Sequence, residues 1–274
     1  MKKLIKKLLP TSLIKILRKI IPNEKNFLLK KLSFNNFSNI IFLGTEYGGW
    51  SIYDNKNIKN KYIISAGLGE DASFDIELIS KFNCKIIVVD PTPRAIEHYN
   101  QIIENKGRPK IKPYTEDGKQ SISSYDLRKI NEENFILLDC ALYNNDYEEI
   151  KFYEPPIKEH VSYSINDWQN NYKKNSNFIK VKTITVKNIL KKFNLKEIEI
   201  IKLDIEGAEI EVLNNLLDEK ILPNQILVEF DELNKINNQA KNRFLNIHER
   251  LLSQNYFLIK TINNFPNFLY LKKN

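Results

Sequence analysis

Apolar residues in this chain fall into two alternating patterns. Tyr62–Ala66, Lys85–Val89, Phe135–Leu142, Ile198–Leu203 and Gln225–Phe230 are short, nearly continuous apolar runs, the form taken by strands buried on both faces. Between them, Ala72–Phe82, Arg94–Glu104, Val186–Phe193, Glu206–Leu217 and about Lys235–Leu252 repeat apolar positions every three or four residues, which predicts covering helices. Strands alternating with helices specify a parallel sheet with helices on its faces. Before this alternation, Asn39–Leu43 reads as a strand entering the glycine-rich turn Gly44–Trp50. After it, Tyr256–Ile262 and Asn267–Leu271 flank the turn-forming Asn263-Asn-Phe-Pro266, predicting a terminal antiparallel hairpin. Polar and aromatic residues 144–180 interrupt the rhythm and read as an insertion.

The length of 274 residues suits one domain of this kind, taken here as residues 39–274 behind an N-terminal segment 1–38. Charge separates the two. Residues 1–31 hold ten Lys/Arg and one Glu, whereas the rest of the chain carries 32 basic and 33 acidic residues. The body offers no basic excess to a phosphate backbone, so no nucleic-acid partner is expected. Leu4, Ile5, Leu8, Leu9, Leu13, Ile16, Leu17, Ile20 and Ile21 recur among the N-terminal lysines at near-helical spacing, interrupted at Pro10. This is a basic amphipathic helix, with two readings: contact with an anionic membrane surface, or packing on the domain with its lysines in water. Lysines break every candidate secretory core, and no apolar run is long enough to span a bilayer. Cys84 and Cys140 lie in strand-like runs as small buried thiols rather than disulfide or metal partners. A cytoplasmic setting follows, with the inner membrane face as one location.

The first core strand ends in Ser65-Ala-Gly-Leu-Gly-Glu-Asp71 and runs directly into a helix. Gly67 and Gly69 therefore stand where the backbone turns beside a ligand, and Asp90, ending the second strand, can accept from both hydroxyls of a ribose. Gly67-x-Gly69-x-x-Ala72 also fits a dinucleotide fingerprint, so an NAD-dependent sugar oxidoreductase or epimerase is the alternative. Glu70 and Asp71 argue against it, because a pyrophosphate favours a helix N-terminus without competing anions. They suit the sulfonium and ammonium of S-adenosylmethionine. Helix capping by Asp71 or Ser73 is an equally good account of those positions.

Ile200-Ile-Lys-Leu-Asp-Ile-Glu-Gly-Ala-Glu209 is the most specific motif in the chain, and it resembles the Lys-Leu-Asp-x-Glu-Gly-x-Glu signature of the FkbM family of methyltransferases. Val89-Asp-Pro-Thr-Pro93, Ala141-Leu142 and Val228-Glu-Phe230 agree in order, as do Gly44–Trp50 and Ser65–Asp75. The resemblance spans roughly residues 40–272. It departs from the commoner family pattern at Ser65, where an acidic residue is usual, and at Asp90, where Glu is usual; Glu70 or Asp71 is the expected substitute at the methionine end. The resemblance implies a Rossmann-like class I methyltransferase fold with a mostly parallel seven-stranded sheet and a C-terminal antiparallel hairpin. It also implies S-adenosylmethionine as cofactor, and O-methyl transfer to a sugar, nucleotide-sugar or glycan hydroxyl. Cys140 and Ala141, closing the third strand, complete a cofactor shell of Gly67, Gly69, Glu70, Asp71 and Asp90.

A sugar hydroxyl is a weak nucleophile until its proton is drawn away. Asp204 ends the fourth core strand, at the edge where open α/β sheets place ligands, and is the first choice for that role, with Glu206 beside it. Glu209 is better explained by the dipole of its helix. Within the insertion, His160 is a candidate base, and Tyr153, Tyr163, Ser164 and Trp168 suit a polar acceptor with apolar faces. His98 and His248 fall in covering helices as surface or packing residues. Glu229 lies near Asp204, but two carboxylates without a third ligand do not make a metal site, and a divalent ion is not favoured. Tyr47–Trp50 fit either a wall beside the cofactor or a tight hairpin with Trp50 in the core.

Overall fold

The computed structural model describes residues 24–147, 149–155, 163–165, 177–262 and 265–273. Most of the expected N-terminal helix, His160 and Trp168, and part of the 263–266 turn lie outside the described residues.

The elements, in chain order, begin with α1 (Glu24–Leu29), β1 (Ile40–Leu43), β2 (Trp50–Tyr53), β3 (Tyr62–Ala66), α2 (Ser73–Phe82), β4 (Lys85–Val89) and α3 (Pro93–Glu104). Next come β5 (Phe135–Leu138), β6 (Ala141–Leu142), β7 (Ile150–Tyr153), β8 (Phe178–Val181), β9 (Thr183–Ile184) and α4 (Val186–Lys192). The chain continues through β10 (Ile200–Leu203), α5 (Glu209–Asp218), β11 (Gln225–Glu229), α6 (Asn238–Ser253), β12 (Tyr256–Ile259) and β13 (Asn267–Lys272).

The central sheet has seven strands in the order β12-β13-β11-β10-β3-β4-β5. All neighbours pair in parallel except β13, which runs antiparallel to both β11 and β12. This is the class I methyltransferase arrangement. Successive strand residues face opposite sides: Ile63, Ile86, Val88 and Leu227 pack with α2, α3 and β2, whereas Ile64, Ile87, Val89 and Val228 pack with α4, α5 and α6. Burial on both faces explains why these strands read as continuous apolar runs. Strand order reverses between β3 and β10, opening the crevice at their carboxyl ends that such sheets use for ligands.

Several boundaries differ from the sequence reading, two of them at the site. The third core strand stops at Leu138; Cys140 N–H bonds back to Leu138 O at 2.9 Å, and Ala141–Leu142 leaves the sheet to pair with β9. The helix expected from Glu206 begins at Glu209, because Glu206 and Gly207 take left-handed φ of 52° and 98°. β1 pairs antiparallel with β2 in a separate hairpin, a partnership that apolar spacing alone did not reveal. Within 144–180, β7 and β8 form another antiparallel pair.

Candidate active site

A cleft of about 1100 Å³, counted to its open mouth, lies over the switch point. Gly67 and Gly69 line it. Gly67 turns at φ 85°, and a Cβ there would stand 1.9 Å from the Asp204 carbonyl oxygen, so β3 and β10 approach too closely for any side chain. Asp90 secures the loop from below: Oδ2 accepts from Leu68 N–H at 2.8 Å and Gly69 N–H at 3.2 Å, while Oδ1 accepts from Thr92 N–H at 2.9 Å and Thr92 O–H at 2.7 Å. Four donors thus converge on one carboxylate, which serves the loop first. Lys202, buried in β10, donates to Gly67 O and lies 5.9 Å from the Trp50 ring centroid, tying the loop to the hairpin.

The neighbouring acids are also engaged. Glu70 sits between Arg94 at 2.5 Å and Lys119 at 2.8 Å, pinning the segment after α3 against the loop. Asp71 Oδ1 accepts from Ser73 N–H at 2.9 Å, and its Oδ2 accepts from Thr45 O–H at 2.6 Å. The Thr45 hydroxyl in turn accepts from Gly48 N–H at 2.9 Å, and Gly44 N–H donates to Glu77 at 2.8 Å. The β1–β2 hairpin is therefore bolted to the start of α2. At its tip Tyr47 extends over the cleft beside Gly118, where a Cβ would meet the phenol ring at 2.5 Å. Trp50, at 2% exposure, is in the core. The hairpin reading of Tyr47–Trp50 holds, and Tyr47 and Gly48 of the same turn line the cleft.

Asp204, Glu206 and Glu229 also line the cleft. Burial, opposed by Lys202 and reinforced by Asp90, raises the Asp204 pKa above the ordinary aspartate value. Burial and the negative charges of Asp204 and Asp231 push Glu229 up to about 8, and burial takes Asp231 to about 6. Glu209 is nearly fully buried and folds back, accepting from Ile205 N–H at 3.0 Å and from Gly207 N–H at 3.1 Å, which fixes the turn that presents Asp204 and Glu206. Among the described residues no three acidic, His or Cys side chains converge as a metal site.

The 144–180 segment builds the far wall. Phe152, Tyr163 and Ile165 line the cleft, with the Phe152 and Tyr163 rings stacked at 5.9 Å. Ser164 O–H donates to Glu206 O at 2.5 Å, tying this wall to the β10–α5 turn.

The sequence profile of the Methyltransferase FkbM domain matches residues 110–258, more than half of the chain. The chain belongs to the FkbM methyltransferase family. It is accordingly an S-adenosylmethionine-dependent methyltransferase, and the dinucleotide-dependent alternative is set aside. No curated protein matches the sequence. Among solved structures, it is similar at 13% identity to a Streptococcus mutans protein described as a methyltransferase and solved in complex with SAH; the TM-score is 0.37, covering 78% of this chain and 90% of that one. An rRNA methylase from Streptococcus thermophilus gives 12% identity and a TM-score of 0.37, over 80% and 92% of the two chains. A fibrillarin/Nop5p complex gives 10% identity and a TM-score of 0.38, over 78% and 73%.

In this FkbM-family cleft, Gly67, Gly69, Glu70, Asp71, Asp90, Ala141, Asp204 and Glu206 come together as lining residues. Cys140 does not: it packs against the core, where burial pushes its thiol up to about 11. His160 lies outside the described residues. His98 and His248 are buried packing residues, paired at 2.9 Å with the hydroxyls of Tyr125 and Tyr270. Tyr47 and Glu229, weighed from sequence as a cofactor wall and a metal partner, line the cleft too, as do Gly118, Thr92, Phe152 and Lys202, to which the sequence reading gave no cofactor or catalytic role. Thr92 lies in the family-like segment Val89–Pro93, whereas Gly118 carried no usable signal, since a loop residue acquires its role from what folds against it.

Proposed function

We propose that the protein transfers a methyl group to a hydroxyl of a sugar or glycan precursor, with Asp204 as the residue that contacts the acceptor and draws off its proton. The observation that carries this reading is Asp204 itself: a half-buried carboxylate with raised pKa at the sheet's switch point, lining the same cleft as Phe152 and Tyr163. A base works best when its pKa lies nearer the working pH than an exposed aspartate's does.

The cleft fits S-adenosylmethionine in two respects. Gly67 lets the cleft-lining loop turn tightly against Asp204, and the acidic side chains of Asp204 and Glu229 suit a cation. When bound, the cofactor supplies a methyl on a sulfonium. The loop Gly67–Gly69, held by Asp90 and Lys202, would hold the nucleoside end, with Thr92 and Ala141 beside it. Holding an acceptor oxygen in line is a large part of the catalytic task. Apolar ring faces on Tyr47, Phe152 and Tyr163, with polar edges at Asp204 and Glu206, suit a pyranose-like acceptor with apolar faces and a hydroxyl rim.

The test is an acceptor screen of neutral glycosides, nucleotide sugars and oligosaccharides, read as S-adenosylhomocysteine formed and as mass gained by the acceptor. Asp204→Asn should retain S-adenosylhomocysteine binding and lose turnover by about 100-fold or more, the usual worth of a general base. Full turnover in Asp204→Asn would remove Asp204 from that role. Methylation on nitrogen, or only of phosphate-bearing polymers, would overturn the acceptor class.

A further inference from the structure

One surface is left unused by methyl transfer. β13 pairs Asn267 with Glu229, so the turn between β12 and β13 lies at the same edge of the sheet as the carboxyl end of β11 and the cleft. α1 is packed there, its Leu28 fully buried in the cluster that contains Phe230, Leu233 and Phe244. The next residue back, Phe27, is 45% exposed, with the Lys31 and Lys241 ammonium groups 4.9 and 4.6 Å from its ring centroid. Lys25 lies 4.8 Å from the ring of Phe265, in the β12–β13 turn. Ile262 in the same turn is 69% exposed, and Lys260 beside it is exposed. The acidic residues nearest in sequence to these elements are Glu24 and Glu249, which are exposed, and Asp231 and Glu232, which are buried; Glu249 stands about two turns along α6 from Lys241.

We propose that this face docks on an anionic lipid bilayer. Exposed aromatic and branched side chains encircled by lysines match the headgroup boundary: the apolar bodies enter it while the ammonium groups meet lipid phosphates. The chain leading into α1 has the same chemistry. Residues 1–23 contain seven Lys/Arg, no Asp or Glu, and Leu and Ile throughout. A nucleic acid would use the lysines but give Ile262 and the Leu/Ile positions nothing to contact, so the bilayer accounts for both halves of the composition. No helix among the described residues is long and apolar enough to cross a membrane. Docking at the cleft edge presents the site to an acceptor carried at the lipid surface, a consequence that rests on the glycan reading above; the docking itself does not.

The test is cosedimentation of the full chain with vesicles of phosphatidylcholine alone and of phosphatidylcholine mixed with phosphatidylglycerol. The protein should pellet with the anionic vesicles and stay in solution with the neutral ones. Each lysine near an anionic surface contributes about 1 kcal/mol, so Lys25→Glu/Lys31→Glu/Lys241→Glu should lower partitioning by at least roughly 100-fold. Ile262→Ser, a surface change that leaves the core intact, should lower it by several-fold. S-adenosylhomocysteine titration of each variant separates the outcomes: unchanged affinity shows an intact fold and a cofactor site independent of docking. Absence of the full chain from the anionic pellet overturns the proposal. So does pelleting that both patch variants retain, which would put the contact in residues 1–23 alone, or binding to single-stranded RNA in place of vesicles.

Discussion

Single residues at the cleft are constrained by what else occupies the same small volume. Gly67 has a left-handed backbone and no room for a methyl, so Gly67→Ala combines an unfavourable conformation with a backbone clash and should weaken S-adenosylmethionine binding by about 2–4 kcal/mol. Isothermal titration measures this, and wild-type affinity would show that the loop can open without cost. Glu229 holds its proton to about pH 8 because burial and its acidic neighbours penalise the charge. A cation brought into the cleft reverses that penalty. Cofactor binding at pH 7 should therefore release close to one proton, seen as a dependence of binding enthalpy on the buffer's ionisation enthalpy and lost in Glu229→Gln.

Elements carry the next level of constraint. The β1–β2 hairpin contributes Tyr47 to the cleft only because Thr45, Asp71 and Ser73 fasten its turn to α2. Thr45→Val removes one acceptor and one donor from a buried network, which costs about 1–3 kcal/mol. The loss should appear as weaker cofactor binding at nearly unchanged helix content. At the other side, Glu209 closes the β10–α5 turn with its own carboxyl group. The motif residue assigned from sequence to a helix dipole thus positions the two acids before it. The insertion acts similarly through Ser164, whose hydroxyl holds the turn from outside.

Across the molecule, the buried acids at and after β11 contribute a pH-dependent share of stability. Glu229, Glu232 and Asp231 are raised to about 8, 7 and 6, so each binds its proton more tightly folded than unfolded. Their stabilising contribution is complete below the unfolded values near pH 4 and is lost as pH rises through 6 to 8. While one of them is protonated only in the folded chain, stability falls by about 1.4 kcal/mol per pH unit. The melting temperature without cofactor should decrease between pH 5 and pH 8.5, and added S-adenosylmethionine should flatten the slope; a melting temperature constant over that range would mean these acids are already ionised.

Sequence by itself determined the elements and the class. Burial on both faces writes continuous apolar runs, helices write their period, and a backbone that must turn tightly writes glycine; each signal is local and survives without coordinates. The Lys202–Glu209 motif carried the family, because it compresses a strand end, its acids and its turn into a few residues. Tertiary structure alone decided what the acids do. Asp90 reads from sequence as a ribose acceptor, and Glu70 and Asp71 as partners of the methionine end or, for Asp71, a helix cap; in the fold each also has protein donors from distant segments, Leu68 and Gly69 for Asp90, Arg94 and Lys119 for Glu70, Thr45 for Asp71. It likewise ended the third strand at Leu138, because Ala141–Leu142 found a better partner in β9. Charges and strand edges are satisfied by whatever the fold brings within hydrogen-bond reach, and that reach is set in space rather than along the chain.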